Sequence, residues 1–262
     1  MVNYQLSIFS YQCTIVIKLL QVFIVSYKGK IKKGQIRSNL YKSAEGYDLY
    51  ADCYEKDYEY LHSFENDVLF KMLGDLMGKR ILDVGCGTGR LMKFMKENSS
   101  RVEAGKAGVE RADAEKIDGN AMKGFGQAGG EIIGVDVSEK MLRIAENNFP
   151  DFQFVKGEIE KLPFEDNSFD LVVATFVIVH LKNLDKAFEE VYRVLKDGGV
   201  FMLSNINQRK APKLELKNGE EIVIESHYHR PEDVVGGLES NIFNVEKEEF
   251  VYTYTPGENG SY

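Results

Sequence analysis

Cysteine is scarce in this sequence. The 262 residues hold three, Cys13, Cys53 and Cys86, too far apart to form a CxxC pair. That spacing excludes a disulfide scaffold and a cysteine-based zinc site, and it suits a reducing cytosol. No metal site is expected. Basic charge is also in deficit, with 33 Lys and Arg against 41 Asp and Glu for a formal charge of -8. An acidic chain does not draw in polyanions by its net field, so no nucleic-acid partner is expected. There is no internal repeat. What is left is ordinary globular composition, 44% hydrophobic and 28% charged, at a length that suits one large α/β domain.

Acids are missing from the N-terminus altogether; the first is Glu45. Leu6 to Ser26 is mostly apolar and β-branched with Lys18 its only charge, and Lys28, Lys30, Lys32, Lys33 and Arg37 follow. A membrane span needs roughly 20 apolar residues, but a central Lys costs about 3 kcal/mol on insertion scales. No basic region precedes the run, which argues against a secretory signal. The expectation is a cytoplasmic protein with an apolar and basic extension over 1–38. Membrane contact through residues 6–26 is the alternative, and an extra strand or helix packed on the domain is the simpler role.

From residue 39 onward helix-like and strand-like segments alternate. Tyr47, Tyr50, Tyr54, Tyr58 and Tyr60 lie among acids at helical spacing. Short apolar runs at 80–84, 131–137, 152–155, 169–175 and 200–206 read as buried strands. Helices are expected over 88–98, over 139–148 with Ser138 as N-cap, over 184–195, and near 231–238. Continuous apolar strands alternating with amphipathic helices imply a doubly wound, mostly parallel sheet covered on both faces. Residues 98–130, rich in Gly, Ala, Lys and Glu, read as a surface insertion. Asn218-Gly219 between two alternating runs predicts a hairpin near 213–225 with φ positive at both turn residues.

The chemistry begins at Asp83-Val84-Gly85-Cys86-Gly87-Thr88-Gly89. A strand runs into three alternate glycines and then a helix, so a ligand can approach the backbone closely and an acid can meet free N–H groups. The third glycine falls one residue early for a dinucleotide fingerprint, and Arg90 stands where that pattern wants Gly. Asp136 ends the next strand, where a carboxylate can accept both hydroxyls of a ribose. Gly89 and Asp136 are 47 positions apart; removing 98–130 as an insertion restores the usual spacing of roughly 20.

The runs 83–89, 134–141 (GVDVSEKM), 157–164 (GEIEKLPF), 168–173 (SFDLVV) and 194–200 (VLKDGGV) resemble, in order, the successive motifs of class I S-adenosylmethionine-dependent methyltransferases, the small-molecule type in particular. The resemblance covers about residues 40–210 and implies a Rossmann-like fold with S-adenosyl-L-methionine as cofactor. It implies that Gly85, Gly87 and Gly89 line the methionine part and that Asp83 orients its amino group. Asp136 would hold the ribose, Val137 and Met141 would lie against the adenine, and Glu158 and Ile159 would meet the adenine amino group and ring. Thr175 would face the sulfonium, and Tyr54 would cover the carboxylate. The family's sheet usually ends in a two-strand hairpin, which the short C-terminus leaves in question, so the last strand is expected to be missing or oddly paired.

Methyl transfer from a sulfonium needs mainly positioning, worth roughly 7–11 kcal/mol. A base is required only where the acceptor must lose a proton, and would add about 10²–10⁴-fold. His180, just after the fourth strand, is the candidate catalytic residue. His227 and His229 lie on one strand face if the strand continues. No Asn/Asp-Pro-Pro-Tyr/Phe run and no Pro-Cys pair occur, so within the resemblance a small-molecule acceptor is favoured. Two rivals stand beside methyl transfer: a catalytically inactive methyltransferase-like binding or regulatory module, and a nicotinamide-dependent reductase, against which the glycine register counts.

Overall fold

A computed structural model of the chain describes residues 13–17, 39–57, 73, 76, 78–97, 130–205 and 211–247. Strand β1 (Cys13–Ile17) is followed by β2 (Asn39–Tyr41), helix α1 (Ser43–Asp57), β3 (Arg80–Val84) and a helix α2 over 90–97. Then come β4 (Glu131–Asp136), α3 (Glu139–Asn148), β5 (Gln153–Lys156), β6 (Phe169–Thr175) and α4 (Asp185–Val194). β7 (Leu195–Ser204), β8 (Lys213–Glu215), β9 (Glu221–Ile224), α5 (Pro231–Ser240) and β10 (Phe243–Lys247) complete the order. The inserted segment proposed over 98–130 lies almost wholly outside the described residues.

Seven strands form one sheet in the order β10-β1-β7-β6-β3-β4-β5, and every pairing in it is parallel. Its central strands are buried on both faces, and the two-residue period divides their side chains. Leu82, Val84, Ile133, Val135, Val172, Ala174, Phe201 and Leu203 join one core. Their neighbours in sequence, Ile81, Ile132, Leu171, Val173 and Met202, join the other, with Leu91 and Met92 of α2. α4 closes the first face with Ala187, Phe188, Val191 and Val194 buried along one stripe. α5 begins with Pro231 and carries Glu232 and Asp233 in its first turn, the residue types that suit a helix N-terminus.

Two expectations at the edge of the sheet are met in one of their stated forms, an oddly paired last strand and an extra packed strand from the N-terminus. The last strand, β10, is present, but it pairs in parallel with β1 and not with β7. The apolar N-terminal run thus supplies an internal strand of the main sheet at 13–17, and no helix among the described residues is long and apolar enough to cross a membrane. The strand expected at Val200 begins five residues earlier. Leu195 pairs with Phe169, a shift in register follows, and pairing resumes at Val200 opposite Leu171.

β2, β9 and β8 form a second, small sheet, with β8 and β9 antiparallel. The hairpin lies where the sequence puts it, but its turn differs. Only Gly219 has positive φ, at 80°. The amide of Gly219 donates to the Leu216 carbonyl, and the Asn218 side chain accepts from the Glu220 amide. Lys217 therefore belongs to the loop, and the pair is spaced for a type I turn followed by a left-handed glycine. α1 packs on this sheet through Tyr50, Ala51 and Tyr54, against Leu214, Ile222, Ile224 and, from α3, Met141.

Candidate functional site

The strand order reverses direction between β3 and β6, and parallel α/β sheets bind ligands at such a point, outside the carboxyl ends of the strands. A cavity of about 670 Å³ lies there, within the range of small-molecule sites. The sheet order arranges its wall: Glu158 and Ile159 after β5, Asp136 and Val137 after β4, Gly85 and Gly87 after β3, then Thr175, Phe176 and His180 after β6. α1 contributes Tyr47 and Tyr54, and α3 contributes Met141.

The glycine loop needs glycine for a physical reason. Gly85 and Gly87 have φ of 67° and 54°, where L side chains are strained. A Cβ on Gly85 would also stand 2.3 Å from Val177 Cγ2. The loop is tied to the neighbouring strand, because the amides of Gly85 and Cys86 donate to the Val135 carbonyl at 2.7 and 3.0 Å. Asp136 completes the tie. Its Oδ2 accepts from the Gly87 amide at 2.9 Å and its Oδ1 from the Ser138 amide at 2.8 Å. Burial raises the Asp136 pKa above its ordinary value, and the amides of Ser138, Gly87 and Val137 partly oppose that shift.

Ten of the twelve candidate residues line this one cavity: Tyr54, Gly85, Gly87, Asp136, Val137, Met141, Glu158, Ile159, Thr175 and His180. Asp83 and Gly89 do not. Asp83 is buried within β3. Gly89 is not part of the cavity wall; its φ is 91° and a Cβ there would meet the Phe149 ring at 2.7 Å, so backbone conformation and close packing at the end of α3 together explain the glycine.

α1 is fastened over the site by its acids. Asp48 accepts from the Ser138 hydroxyl at 2.6 Å and from the Lys140 amide at 3.0 Å, so it shares in capping α3. Asp52 pairs with Lys140, which lowers the Asp52 pKa. Thr88 of the glycine loop donates to Glu55.

Arg90, Phe176 and Tyr47 are among the wall residues to which the sequence assigns no role. Arg90 lies with its guanidinium carbon 5.8 Å from the Tyr54 ring and 5.7 Å from the Phe176 ring, and it donates to Thr175 Oγ1 at 3.4 Å. Its signal was the break from the dinucleotide pattern. Phe176 holds φ at 58°, a left-handed conformation for a bulky residue, and its amide donates to Ser204. No sequence signal marks it. Tyr47 shares a helical face with Tyr54, which reads as packing, and their rings do meet edge to face.

His180 closes a short 3-10 turn over Ile178–His180. Its Nδ1 is 2.8 Å from the Glu225 carbonyl and its Nε2 is 2.8 Å from the Tyr47 hydroxyl. Burial lowers the His180 pKa, the nearby His227 adds to that, and the Glu225 carbonyl opposes it. His227 Nε2 lies 3.6 Å from Glu225 Oε1, whereas His229 Nε2 donates to the Leu181 carbonyl. Among the described residues no three His, Cys, Asp or Glu side chains converge as a metal site.

A family described as a methyltransferase domain matches residues 116–203. The match omits the glycine loop, which the fold nevertheless places beside Asp136. The chain is 27% identical over 238 residues to the uncharacterized protein MJ1252 of Methanocaldococcus jannaschii, covering 80% of this chain and 77% of the relative. It is 30% identical over 186 residues to the ubiquinone/menaquinone biosynthesis C-methyltransferase UbiE of Brucella abortus, covering 70% of this chain. It spans 60% of that relative's length. Among solved structures, the [4+2]-cyclase SpnF superposes with a TM-score of 0.51 at 19% identity, over 78% of this chain and 74% of the other. That neighbour is named for a cyclisation, so the likeness speaks to fold, and the chemistry has to be argued from the site.

Proposed function

From a chain that carries a class I S-adenosylmethionine-dependent methyltransferase domain, we propose an enzyme that transfers a methyl group from S-adenosylmethionine to a small-molecule acceptor bound at the β6 end of the cavity. The observation that carries this is the buried Asp136 carboxylate at the end of β4, bonded to the amide of the glycine loop and flanked by apolar walls.

The residues present fit the cofactor. Asp136 Oδ2 accepts the Gly87 amide and Oδ1 the Ser138 amide, and a carboxylate has further acceptor sites for the ribose hydroxyls. Val137, Met141 and Ile159 offer apolar surface for an adenine, and the exposed Glu158 offers an acceptor for its amino group. Gly85 and Gly87 present bare backbone to the amino-acid portion. Arg90 sets a positive charge beside that loop for the carboxylate, under the Tyr54 ring. When bound, the cofactor supplies an electrophilic methyl on a sulfonium. The chain supplies position: α1 covers the site, and Thr175, Phe176 and His180 border the acceptor end.

Residues 39–262 form the methyltransferase domain in this proposal, with 98–130 inserted between its first two motifs and 1–38 as an N-terminal extension that lends β1 to the sheet. The free thiols of Cys53 and Cys86 suit a reducing cytoplasm. Nucleic acid is not expected as a partner of so acidic a chain.

The test is incubation with methyl-labelled S-adenosylmethionine and a panel of small acceptors. Label in an acceptor, lost in Asp136→Ala, is the expected result. Retained cofactor binding with no transfer to any acceptor would favour a non-catalytic binding module.

A further inference from the structure

We propose that Phe176 is a positioning residue for the cofactor: a left-handed turn at the end of β6 stands its ring against the Arg90 guanidinium and fixes that charge for the amino-acid carboxylate. The assignment rests on the methyl-transfer activity proposed above and deepens it at the cofactor end of the cavity.

The chain turns left-handed at Phe176, with φ of 58°. For a bulky residue that conformation is an outlier, and its strain persists only where the surroundings enforce it. The Phe176 amide donates to the Ser204 carbonyl and to Ser204 Oγ, both at 3.2 Å, so β7 holds the turn. The next residue, Val177, closes on the glycine loop, where its Cγ2 takes the space a Gly85 Cβ would need. One strained residue thus sets its own side chain and the next one against the elements that carry the glycine loop.

The Arg90 guanidinium carbon lies 5.7 Å from the Phe176 ring centroid and 5.8 Å from that of Tyr54. Both distances are within the reach of about 6 Å for a cation–π contact. Thr175 Oγ1 accepts from Arg90 Nη2 at 3.4 Å. Two rings and a hydroxyl restrict how the guanidinium can turn, and all four side chains line the cavity with Gly85 and Gly87. A planar guanidinium bonds a carboxylate two donors at a time, so the strength of that contact depends on orientation. The Phe176 side chain has no hydrogen-bonding group, so its influence on a carboxylate runs through Arg90.

The test titrates the full chain by calorimetry with S-adenosylhomocysteine and with 5′-methylthioadenosine. Both carry the adenosine and the sulfur, and only the first carries the amino-acid chain. Wild type is expected to prefer S-adenosylhomocysteine by at least about 10-fold, the scale of a hydrogen bond to a charged group. Phe176→Leu should cut that preference at least about 3-fold, with 5′-methylthioadenosine affinity within about 2-fold of wild type. Phe176→Tyr, which keeps the ring, should retain the preference. Arg90→Gln should lower it, and adding Phe176→Leu to Arg90→Gln should cost nothing further, which a merely structural role would not predict. In urea, Phe176→Gly should be more stable than Phe176→Ala, because glycine takes the turn without strain. Five results overturn the assignment of Phe176 alone: no preference in wild type, a preference unchanged in Phe176→Leu or lost in Phe176→Tyr, equal loss of both ligands, additive effects of the two substitutions, or an alanine variant more stable than the glycine one. Failure of wild type to bind S-adenosylhomocysteine overturns the methyltransferase proposal beneath it.

Discussion

The Gly87 amide donates to Asp136 Oδ2 at 2.9 Å, joining residues 49 positions apart. One carboxylate therefore both shapes the glycine loop and stands at the ligand's edge of the sheet. Asp136→Ala leaves the Gly87 and Ser138 amides without that partner. It is expected to weaken S-adenosylhomocysteine binding by at least about 1–2 kcal/mol, roughly 10-fold, the scale of a hydrogen bond to a charged group. Calorimetric titration of the variant checks this, and unchanged affinity would remove Asp136 from the site.

Gly85 and Gly87 should respond differently to alanine. At Gly85 the new Cβ meets both a positive φ and Val177 at 2.3 Å. Strain alone costs about 1–2 kcal/mol, and the clash adds to it, so Gly85→Ala should lower the urea midpoint clearly. At Gly87 the nearest atom to a Cβ is Tyr54 Cε1 at 4.0 Å. Gly87→Ala should show the strain cost alone, with its larger effect on cofactor affinity.

His180 gives a signed dependence of stability on pH. Its folded pKa is lowered from the ordinary 6.5 by burial. The neutral ring thus contributes stability above about pH 6.5, which is lost as the pH falls toward the lower folded value, because the unfolded chain takes up the proton first. Tyr47, Glu225 and His227 face the ring and are common to both proteins compared. Between pH 8 and 5, wild type should lose more stability than His180→Gln in urea melts. Parallel curves would mean that the ring is not held neutral.

Arg193 holds the segment after β5 against α4. It donates to the carbonyls of Leu162 and Phe164 and to the carboxylates of Glu190 and Asp166. Those carboxylates raise its pKa further, so it is charged at every working pH. With the side chain 29% exposed, Arg193→Ala should cost about 1–3 kcal/mol. Arg193→Lys should recover little, since an ammonium cannot replace the fork. A urea midpoint for Arg193→Lys equal to wild type would contradict this.

The parts legible in the sequence are those fixed by local pattern. β3 and β6 start and stop where the apolar runs do, because strands covered on both faces leave no polar alternation to blur their ends. Ser138 caps α3 as its type and place imply. What stayed hidden depends on partners far along the chain. The polar role of Tyr47 is set by His180, 133 positions away, so its helical spacing reads only as packing. The place of β1 is set by β7 and β10, so the apolar run by itself left a membrane segment as the alternative to a packed strand. Asn218-Gly219 marked the hairpin, yet turn type follows from how many residues separate the paired strands, and Lys217 makes three. Gly89 belongs to the loop motif by spacing, but the Phe149 ring takes the space a side chain would need.

Direct titration of the wild-type chain with S-adenosylhomocysteine, set beside NAD, bears most closely on the proposed cofactor site. Saturable binding of one S-adenosylhomocysteine per chain with no heat from NAD is the expected result. Tight binding of NAD with none of S-adenosylhomocysteine would contradict it.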